Sequence, residues 1–505
     1  MNNDLLLQSI IDLKNDFEES VATVSSMLDN LNKFSRQVRS LRRYIRQETL
    51  ELAQENIQYI EKKFIKFSQN ISMIKDHLDK PTPTLEFVEK MQEEKDRYFD
   101  LIRTQMNIVG SIVTSLDFQS PSFSHSVYTM AGKYTGKIIG TINDYKREGR
   151  LDNQTLEKWY LKNYVDAVTK FNIHAYATNC GMAAFSTILN FIIMEKLMGK
   201  TVMMGNNVYH ENKKLITKYF GDRVISVDEL DTGRIIKLIQ KQKPGVIFFD
   251  SLCNTKQINV PNLGAIINFL VNEYHHDLYL VIDNTCLSST FQPFKMIQWR
   301  NKKLRLLLLE SLLKYLQFGS DRVNAGMIIA YGKNTEKLME YREHLGTNIS
   351  DASVYAIPFL GRNIFEQRLK RFNRNAYLLS SYLQSYVESK KTAIAEVIYP
   401  GLPNHPSYSW TKEMPFQGSF FTLNFHRPSI RMYKKFIEMA VLKAAKKKVN
   451  ISGGTSFGFN SCRVYLTALR IGNAEPFVRI SVGTETRLQL TKLMEVFTET
   501  IDDLS

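Results

Sequence analysis

Lys314, Asp283 and a glycine turn supply the groups in this chain that are best suited to chemistry. Lys314 follows the mostly apolar run 304–309, and Asp283 closes an apolar run that begins at Leu278. The turn at 178–182 contains Gly181 and opens the mostly apolar stretch 183–193. An amine, a carboxylate and free backbone N–H groups together suit a phosphorylated aldehyde, because the amine attacks the aldehyde and the N–H groups hold the phosphate.

Pyridoxal phosphate is a cofactor that needs all three of these groups. Its aldehyde would bond to Lys314, its ring nitrogen would pair with Asp283, and its phosphate would accept hydrogen bonds at Gly181. Each residue alone has a plainer explanation, since a lysine after a strand can extend to solvent and an aspartate can close a turn. Their combination favours the cofactor site.

The three features can meet only if a common framework brings them together. Strand-like apolar runs alternate with helix-like segments through the middle of the chain, which predicts an α/β fold with a mostly parallel central sheet. Ligands bind at the carboxyl ends of strands in such sheets, where these residues stand. The predicted strands cover residues 201–204, 224–227, 245–249, 278–282, 304–309 and 325–330.

A smaller α+β domain is predicted at the carboxyl end of the chain. A long helical stretch at 365–389 leads into it, and its predicted strands are 393–398, 419–424 and 477–482. The predicted organisation is therefore a helical region at 1–118, a cofactor-binding α/β domain at 119–364 and a C-terminal α+β domain at 365–505.

The spacing of apolar residues predicts that residues 1–118 form a helical hairpin or small bundle. Apolar positions recur at alternating spacings of four and three, as in a coiled-coil seam. The first series is 17, 21, 24, 28 and 31, and the second is 53, 57, 60, 64, 67, 71, 74 and 78. A third helical stretch covers 85–113. These helices can pack on their own chain or on a dimer mate, and a docking surface for another protein is the alternative.

The composition is that of an ordinary globular protein of 505 residues with a net charge of +15. The densest basic cluster, Lys443 with 446–448, ends an amphipathic helix, where cations are favoured, so nucleic acid is not expected as a partner. The four cysteines show neither disulfide nor zinc spacing, which indicates a reducing, cytoplasmic setting and no metal. No signal peptide or membrane span is expected.

Seven motifs in order resemble the pyridoxal-phosphate enzymes of cysteine and methionine metabolism, such as cystathionine γ-synthase, cystathionine lyases and methionine γ-lyase. The resemblance covers roughly residues 140–495 and leaves the helical N-terminus outside. It implies the fold-type-I architecture of that family. The motifs are Tyr145-Lys146-Arg147-Glu148-Gly149, Cys180-Gly181-Met182-Ala183-Ala184, Asp250-Ser251-Leu252-Cys253-Asn254, Asp283-Asn284-Thr285, Ser311-Leu312-Leu313-Lys314-Tyr315, Tyr399-Pro400-Gly401-Leu402 and Val478-Arg479-Ile480-Ser481-Val482-Gly483.

The resemblance gives catalytic roles to two residues and cofactor contacts to several more. Lys314 would bond to the cofactor and move protons, and Tyr209 would stack on the cofactor ring and act as an acid or base at the leaving group. The other cofactor-binding residues that it implies are Asp283 for the ring nitrogen, Gly181, Met182 and Ser311 for the phosphate, and Asn254 for the phenolic oxygen.

Two further parts of the site follow from the same resemblance. Arg479 would bind the substrate's α-carboxylate, with Ser456 nearby on the substrate side. Tyr145 and Arg147 resemble a pair that reaches the phosphate from a neighbouring subunit, which implies a homodimer or homotetramer.

The sequence departs from the family pattern mainly on the substrate side. Leu313 stands where the family has a second phosphate-binding hydroxyl, and Thr255 replaces a proline. The family's Gly-His after the lysine becomes Gln317-Phe318-Gly319, and its Ser-Leu-Gly-Gly segment becomes Ser456-Phe457-Gly458-Phe459-Asn460.

The predicted function is that of a pyridoxal-phosphate enzyme acting on a sulfur-containing or O-activated amino acid. The reaction would be β/γ-elimination or γ-replacement, with replacement of the cystathionine γ-synthase type preferred. The alternative is a catalytically degenerate protein of this fold that serves as a scaffold through its N-terminal helices.

Overall fold

The fold is seen in a computed structural model of the chain. It describes residues 3–40, 46–79, 84–116, 151–167, 173–297, 303–468 and 475–504. The predicted domain boundary at 118–119 and the site residues Tyr145 and Arg147 lie outside the described residues.

Three long helices form a bundle at the N-terminus: α1 (Asn3–Ser40), α2 (Gln47–His77) and α3 (Leu85–Val113). The residues of the two predicted apolar series line its interior, and Phe17, Leu31 and Phe64 are fully buried. The Thr84 side chain accepts a hydrogen bond from the Phe87 N–H and so caps the start of α3. The helical N-terminal region predicted from the sequence is confirmed.

The N-terminal bundle packs on the rest of its own chain. Tyr355 and Leu488 belong to the same buried cluster as the bundle's apolar residues. Gly110 of α3 lies so close to the Ala352 backbone oxygen that a methyl group at position 110 would collide with it. Packing within the chain, one of the options that the heptads left open, is therefore observed; a role in docking another protein stays a prediction.

A seven-stranded sheet forms the centre of the molecule, with strand order β1-β7-β6-β5-β4-β2-β3. Neighbouring strands from β3 to β6 run parallel, and β7 pairs antiparallel with both β6 and β1. The strands are β1 (Ile173–Thr178), β2 (Val202–Gly205), β3 (Val224–Val227), β4 (Val246–Asp250), β5 (Leu278–Asp283), β6 (Leu304–Ser311) and β7 (Gly326–Tyr331).

Helices precede and link these strands, and buried apolar clusters lie on both faces of the sheet. Residues that alternate along β5, such as Leu280 and Val281, belong to different clusters, as expected for a strand covered on both sides. The helices are α4 (Leu151–Tyr164), α5 (Gly181–Met194), α6 (His210–Phe220), α7 (Thr232–Gln242), α8 (Leu263–Asn272), α9 (Leu338–His344) and α10 (Asp351–Ala356).

The C-terminal part holds a second sheet of five strands in the order β10-β11-β12-β9-β8. Its helices include α11, which is the long helix predicted from the sequence, and α14, which packs against α13. The elements are α11 (Arg362–Ser389), β8 (Ile394–Ile398), α12 (Tyr408–Thr411), β9 (Phe420–Phe425), α13 (Ile430–Lys446), β10 (Ile451–Ser452), β11 (Cys462–Thr467), β12 (Phe477–Ser481) and α14 (Arg487–Asp502).

Three strands were not predicted from the sequence: β1, β10 and β11. β1 reads Ile-His-Ala-Tyr-Ala-Thr, whose alanines and histidine give a weak strand signal, and β10 has only two residues. The predicted domain boundary at 364–365 falls at the start of α11 and stays a prediction.

The basic cluster at the end of α13 is engaged in ion pairs. Lys443 Nζ lies 2.7 Å from an Asp503 carboxylate oxygen, and Lys447 Nζ lies 2.8 Å from Glu495 and 2.9 Å from Glu499. These lysines hold α13 against the acidic end of the chain. In the described part of the chain, no helix has the length and apolar character needed to cross a bilayer.

Candidate active site

Asp250, Asp283 and Ser311 end three neighbouring strands at one edge of the large sheet. β4, β5 and β6 run parallel, and the register pairs Asp250 with Asp283 and Asp283 with Leu309. Lys314 follows β6 by three residues, and Gly181 opens α5 just after β1. The carboxyl edge of the sheet therefore brings together the three features on which the sequence prediction was built.

Asp283 is held in place by two donors at the end of β5. The Thr285 N–H donates to Oδ1 at 3.0 Å, and Asn212 Nδ2 donates to Oδ2 at 3.3 Å. Burial raises the pKa of the Asp283 carboxyl above its ordinary value. A carboxylate whose pKa is raised in this way gains from a cationic partner, so Asp283, half-buried at the end of β5, is suited to face a protonated ring nitrogen.

Lys314 lies in a turn beside the small sheet. Its Nζ donates to Ser456 Oγ at 2.6 Å and lies 5.3 Å from the centre of the Phe457 ring. Burial, and next the nearby Arg479 cation, lower the pKa of the Lys314 amine to about 8. A lysine amine with this pKa is partly neutral near pH 8 and is therefore able to attack an aldehyde.

Arg479 projects from β12 into the same space and is almost fully buried. Nη1 donates to Asn254 Oδ1 at 2.7 Å, and Nη2 donates to the Ser456 backbone oxygen at 3.2 Å. The guanidinium lies 5.4 Å from the Phe420 ring centre and 5.8 Å from that of Phe457. Burial lowers its pKa to about 10, and its Nε has no partner. A carboxylate ligand would offset this desolvated charge.

The start of α5 is partly exposed at this edge of the sheet. The Cys180 sulfur accepts a hydrogen bond from the Ala183 N–H, and Gly181 follows as the first residue of the helix. A Cβ atom at position 181 would lie 2.8 Å from the Ser311 Cβ, so only glycine fits where α5 approaches the end of β6. Met182 occupies the second helical position. These backbone N–H groups and the Ser311 hydroxyl form a cradle suited to phosphate.

Tyr209 stands at the start of α6, close to this edge of the sheet. Its N–H donates to Asp250 Oδ2 at 2.9 Å, and its side chain is 39% exposed, which leaves room for a ring to stack on it. Burial and then the neighbouring Glu211 raise the pKa of the Tyr209 hydroxyl. Asn254 follows β4 and bonds to Arg479, as described above.

Sequence reasoning gave no role to Asp250 or Asn212, although both touch predicted site residues. Asp250 fixes the backbone of Tyr209, and Asn212 fixes Asp283. Asp250 had a visible signal, because it ends an apolar run just as Asp283 does. Asn212 had no such signal, since the sequence of an amphipathic helix does not indicate which residue a polar side chain will contact.

These residues fit pyridoxal phosphate. The cradle at Gly181 matches its phosphate, the half-buried Asp283 carboxyl matches its ring nitrogen, and the Lys314 amine with its lowered pKa matches its aldehyde. Cys253 and Cys286 are buried core residues near the site. Among the residues that the structure describes, no group of three or more His, Cys, Asp or Glu side chains could hold a metal ion.

Comparison with known proteins agrees with this class of fold and site. The family model described as "Cys/Met metabolism PLP-dependent enzyme" matches residues 111–495. The chain therefore belongs to that family of pyridoxal-phosphate enzymes. The N-terminal bundle lies almost wholly outside the match.

Individual relatives are distant. The bifunctional enzyme flvA of Aspergillus flavus is 24% identical over 60% of this chain and 36% of its own length, so only about a third of that longer protein is matched. Cystathionine gamma-lyase of Dictyostelium discoideum is 22% identical over 69% of this chain and 85% of its own. A solved cystathionine gamma synthase of Xanthomonas oryzae pv. oryzae, in complex with aminoacrylate and cysteine, shares the fold, with a TM-score of 0.58, 17% identity, and coverage of 77% of this chain and 92% of its own.

Proposed function

We propose that this protein is a trans-sulfuration enzyme that performs γ-replacement on an amino acid whose γ-carbon carries an activated oxygen or a sulfur group. Elimination at Cβ or Cγ is the competing outcome at the same site. One observation carries the proposal: the half-buried Lys314 amine, with its lowered pKa, lies beside the buried Arg479 at the edge of the sheet where Asp283 ends its strand.

Arg479 would fix the substrate by its α-carboxylate. The guanidinium is already oriented by Asn254 and by the Ser456 backbone, and the flanking Phe420 and Phe457 rings exclude water from it. Charge-assisted bonds are strongest in such a dry setting. With the carboxylate held there, the bond from Cα to its proton can be aimed at Lys314.

Lys314 would then move the protons. When bound, pyridoxal phosphate supplies an electron sink for the charge left on Cα. The neutral Lys314 amine would take the Cα proton, while Ser456 Oγ guides its position at 2.6 Å. For a γ-leaving group, Lys314 would first hand that proton to the bound cofactor, and the amine, neutral again, would then take a proton from Cβ. Tyr209 would lend or take a proton at the leaving group.

The oligomeric state and the cellular compartment that we propose are both inferred from the sequence. Tyr145 and Arg147 would reach the phosphate of a neighbouring subunit, so a homodimer is the smallest complete unit that we propose and a homotetramer the larger one. The four cysteines are all free and support a reducing compartment such as the cytoplasm.

The test presents purified enzyme with O-acyl homoserine esters, cystathionine, cysteine and methionine, each with and without a thiol acceptor. We expect a yellow protein, changes in its absorbance with substrate, and a thioether product detected by mass spectrometry; keto acid and ammonia without thioether would indicate elimination. Arg479→Lys, which keeps the charge but loses the two-pronged contact, is expected to raise KM for the substrate.

The scaffold alternative makes the opposite prediction. It requires a colourless protein that takes up no added pyridoxal phosphate and processes none of these amino acids. The relatives reported above are named as enzymes, and the site keeps its lysine, aspartate and arginine, so neither gives that alternative support.

A further inference from the structure

Helix α1 of the N-terminal bundle faces α11 through a ladder of buried and half-buried ion pairs. The partners are Asp12 with Arg374, Asp16 with Arg371, and Glu19 with Arg368. The carboxylates rise along α1 while the arginines descend along α11, so the two helices run antiparallel. The shortest distance in the last pair is 2.7 Å, and Arg368 is only 2% exposed by its side chain. This last pair lies nearest the active site.

Arg368 uses its other face to hold the substrate loop, defined here as residues 453–460. Nη2 donates to Asn460 Oδ1 at 2.5 Å and to the Gly458 backbone oxygen at 3.3 Å. Within the same loop, Ser456 accepts from the Lys314 amine, as described above. One arginine therefore bridges a carboxylate of the N-terminal bundle and the loop that positions the reactive lysine.

The lysine turn, defined here as residues 312–320, is packed against the same arginine. A Cβ atom on Gly319 would lie 2.5 Å from Asn460 Oδ1 and 2.9 Å from Arg368 Nη2. A Cβ atom on Gly458 would collide with the Lys314 backbone oxygen. Both glycines have positive φ, at +79° and +87°. The lysine turn and the substrate loop are in direct contact, without space for a side chain at either glycine.

The N-terminal bundle also touches the lysine turn directly. Arg103 of α3 donates from Nε to the Ser320 backbone oxygen at 2.6 Å. Residues of α1 and α3 line a small cavity together with Gln317 and Phe318. The two segments that depart from the family pattern, 317–319 and 456–460, therefore meet the added bundle at Arg368 and its surroundings.

We propose that Arg368 is a positioning residue for the reaction, held in place by Glu19, and that the N-terminal bundle thereby sets the geometry of Lys314. The altered segments are the surface on which the bundle acts, and their sequence reflects that contact. Only the kinetic consequence depends on the function proposed above, because the positioning itself can be measured without turnover.

The test compares Glu19→Gln with Glu18→Gln in the full-length protein. Glu18 is the neighbour of Glu19 in the sequence, but it pairs with Lys75 at the surface and is 47% exposed. Hydrogen exchange of residues 453–460 is measured in the apoenzyme by mass spectrometry. Loss of one buried charged hydrogen bond should speed that exchange about tenfold in Glu19→Gln and leave it unchanged in Glu18→Gln.

A second readout follows the amine itself. The pH at which Lys314 becomes half-reactive toward pyridoxal phosphate, trapped by borohydride, should shift in Glu19→Gln and stay fixed in Glu18→Gln. A purely structural role would lower the melting temperature without moving this midpoint. Equal behaviour of the two variants in exchange and in midpoint would overturn the proposal.

Asn460→Ala guards against general unfolding, because it removes the shorter contact of Arg368 on the loop side and leaves the Gly458 contact and the α1 side in place. If Arg368 transmits the effect of Glu19, Glu19→Gln should change exchange and midpoint less in an Asn460→Ala background than in the wild-type protein. Full additivity of the two substitutions would show that Glu19 acts by another route and would refute the role of Arg368. Loss of turnover with normal exchange and midpoint would count against the proposed reaction instead.

Discussion

The two sides of the proposed pocket are built differently. On the cofactor side, Asp250, Asp283 and Ser311 end adjacent strands whose register is set by main-chain hydrogen bonds. On the substrate side, Lys314 meets Ser456, a residue 142 positions away, and Arg368 meets Glu19, 349 positions away. The first arrangement depends on one sheet, whereas the second depends on how three parts of the chain dock together.

This difference predicts how each side tolerates change. A substitution on the cofactor side should change cofactor binding or catalysis without displacing its neighbours, because the sheet keeps its register. A substitution on the substrate side should also move its neighbours, because buried side-chain pairs hold it together.

Lys314→Ala should have the largest effect. Loss of proton transfer alone should lower kcat by about 10²- to 10⁴-fold, and covalent attachment of the cofactor should disappear. Turnover and borohydride trapping followed by mass spectrometry measure both. Lys337→Ala, which removes a lysine paired with Glu195 at the surface, is the control and should behave as wild type. Trapping at another lysine in the Lys314→Ala protein would show that the reactive amine lies elsewhere.

Asp283→Asn should rank second. Removing the charge opposite a protonated ring would cost about 3–5 kcal/mol, or roughly 10²- to 10⁴-fold in kcat/KM. Asp250→Asn is the matched comparison, since it changes the same group at the same level of the next strand, where the carboxylate accepts a hydrogen bond from the Tyr209 backbone N–H. Equal losses in the two variants would refute the assignment of Asp283 to the ring nitrogen.

The pH dependence of cofactor uptake should report the Lys314 amine. Its pKa is lowered to about 8, so the neutral, nucleophilic form should fall about tenfold per pH unit below that value and reach a plateau above it. Stopped-flow uptake of pyridoxal phosphate by the apoenzyme measures this, with N-acetyl-lysine methyl ester as the reference for the ionisation of the cofactor.

Arg479→Gln tests which groups set the pH midpoint of cofactor uptake. Arg479 is the second cause of the lowered Lys314 pKa, after burial, so its removal should move the midpoint upward. A midpoint that stays at its wild-type value would show that the two cations do not interact.

Gly181→Ala should have a moderate effect confined to the cofactor side. The new methyl group would lie 2.8 Å from the Ser311 Cβ, and overpacking of this kind costs about 1–3 kcal/mol. Fluorescence titration should show weaker pyridoxal phosphate binding, and calorimetry should show a lower melting temperature. Gly233→Ala is the control, because its Cβ would meet nothing closer than 3.8 Å at the start of another helix.

The same contrast explains what could be predicted from the sequence. The predicted strands 224–227 and 278–282 lie within β3 and β5, and the helix 85–113 has the bounds of α3, because apolar runs and caps are local signals. Lys314 and Asp283 were predicted as site residues for the same reason, because each stands at or just after the end of such a run. Once the strands are predicted to be parallel, the residues at their carboxyl ends can be placed together at one edge of the sheet.

The ion-pair ladder could not be predicted in this way. Arg368 and Glu19 are ordinary charged residues of amphipathic helices in the sequence. The residues around them do not indicate that they pair with each other. Heptads show that a helix has an apolar seam and leave open what covers it. The departures at 317–319 and 456–460 were visible, but their meaning depends on contacts from the far end of the chain.

Leu313→Ser should produce the smallest effect, and the effect should be tighter binding of pyridoxal phosphate. It restores the hydroxyl that the family pattern has at this position, in a turn whose preceding residue, Leu312, is fully buried and whose Leu313 is only half-buried. One added hydrogen bond to the phosphate contributes about 0.5–1.5 kcal/mol, so pyridoxal phosphate should bind a few-fold to about tenfold more tightly.

Leu316→Ser is the control for Leu313→Ser, because it puts the same hydroxyl into the buried side of the turn and should destabilise the apoenzyme without improving cofactor binding. A tighter complex with unchanged kcat would mean that position 313 belongs to the cofactor side, where changes act alone. If kcat fell as binding tightened, the lysine turn would couple the two sides of the pocket, and Leu313 would be part of the adjustment that accommodates the N-terminal bundle.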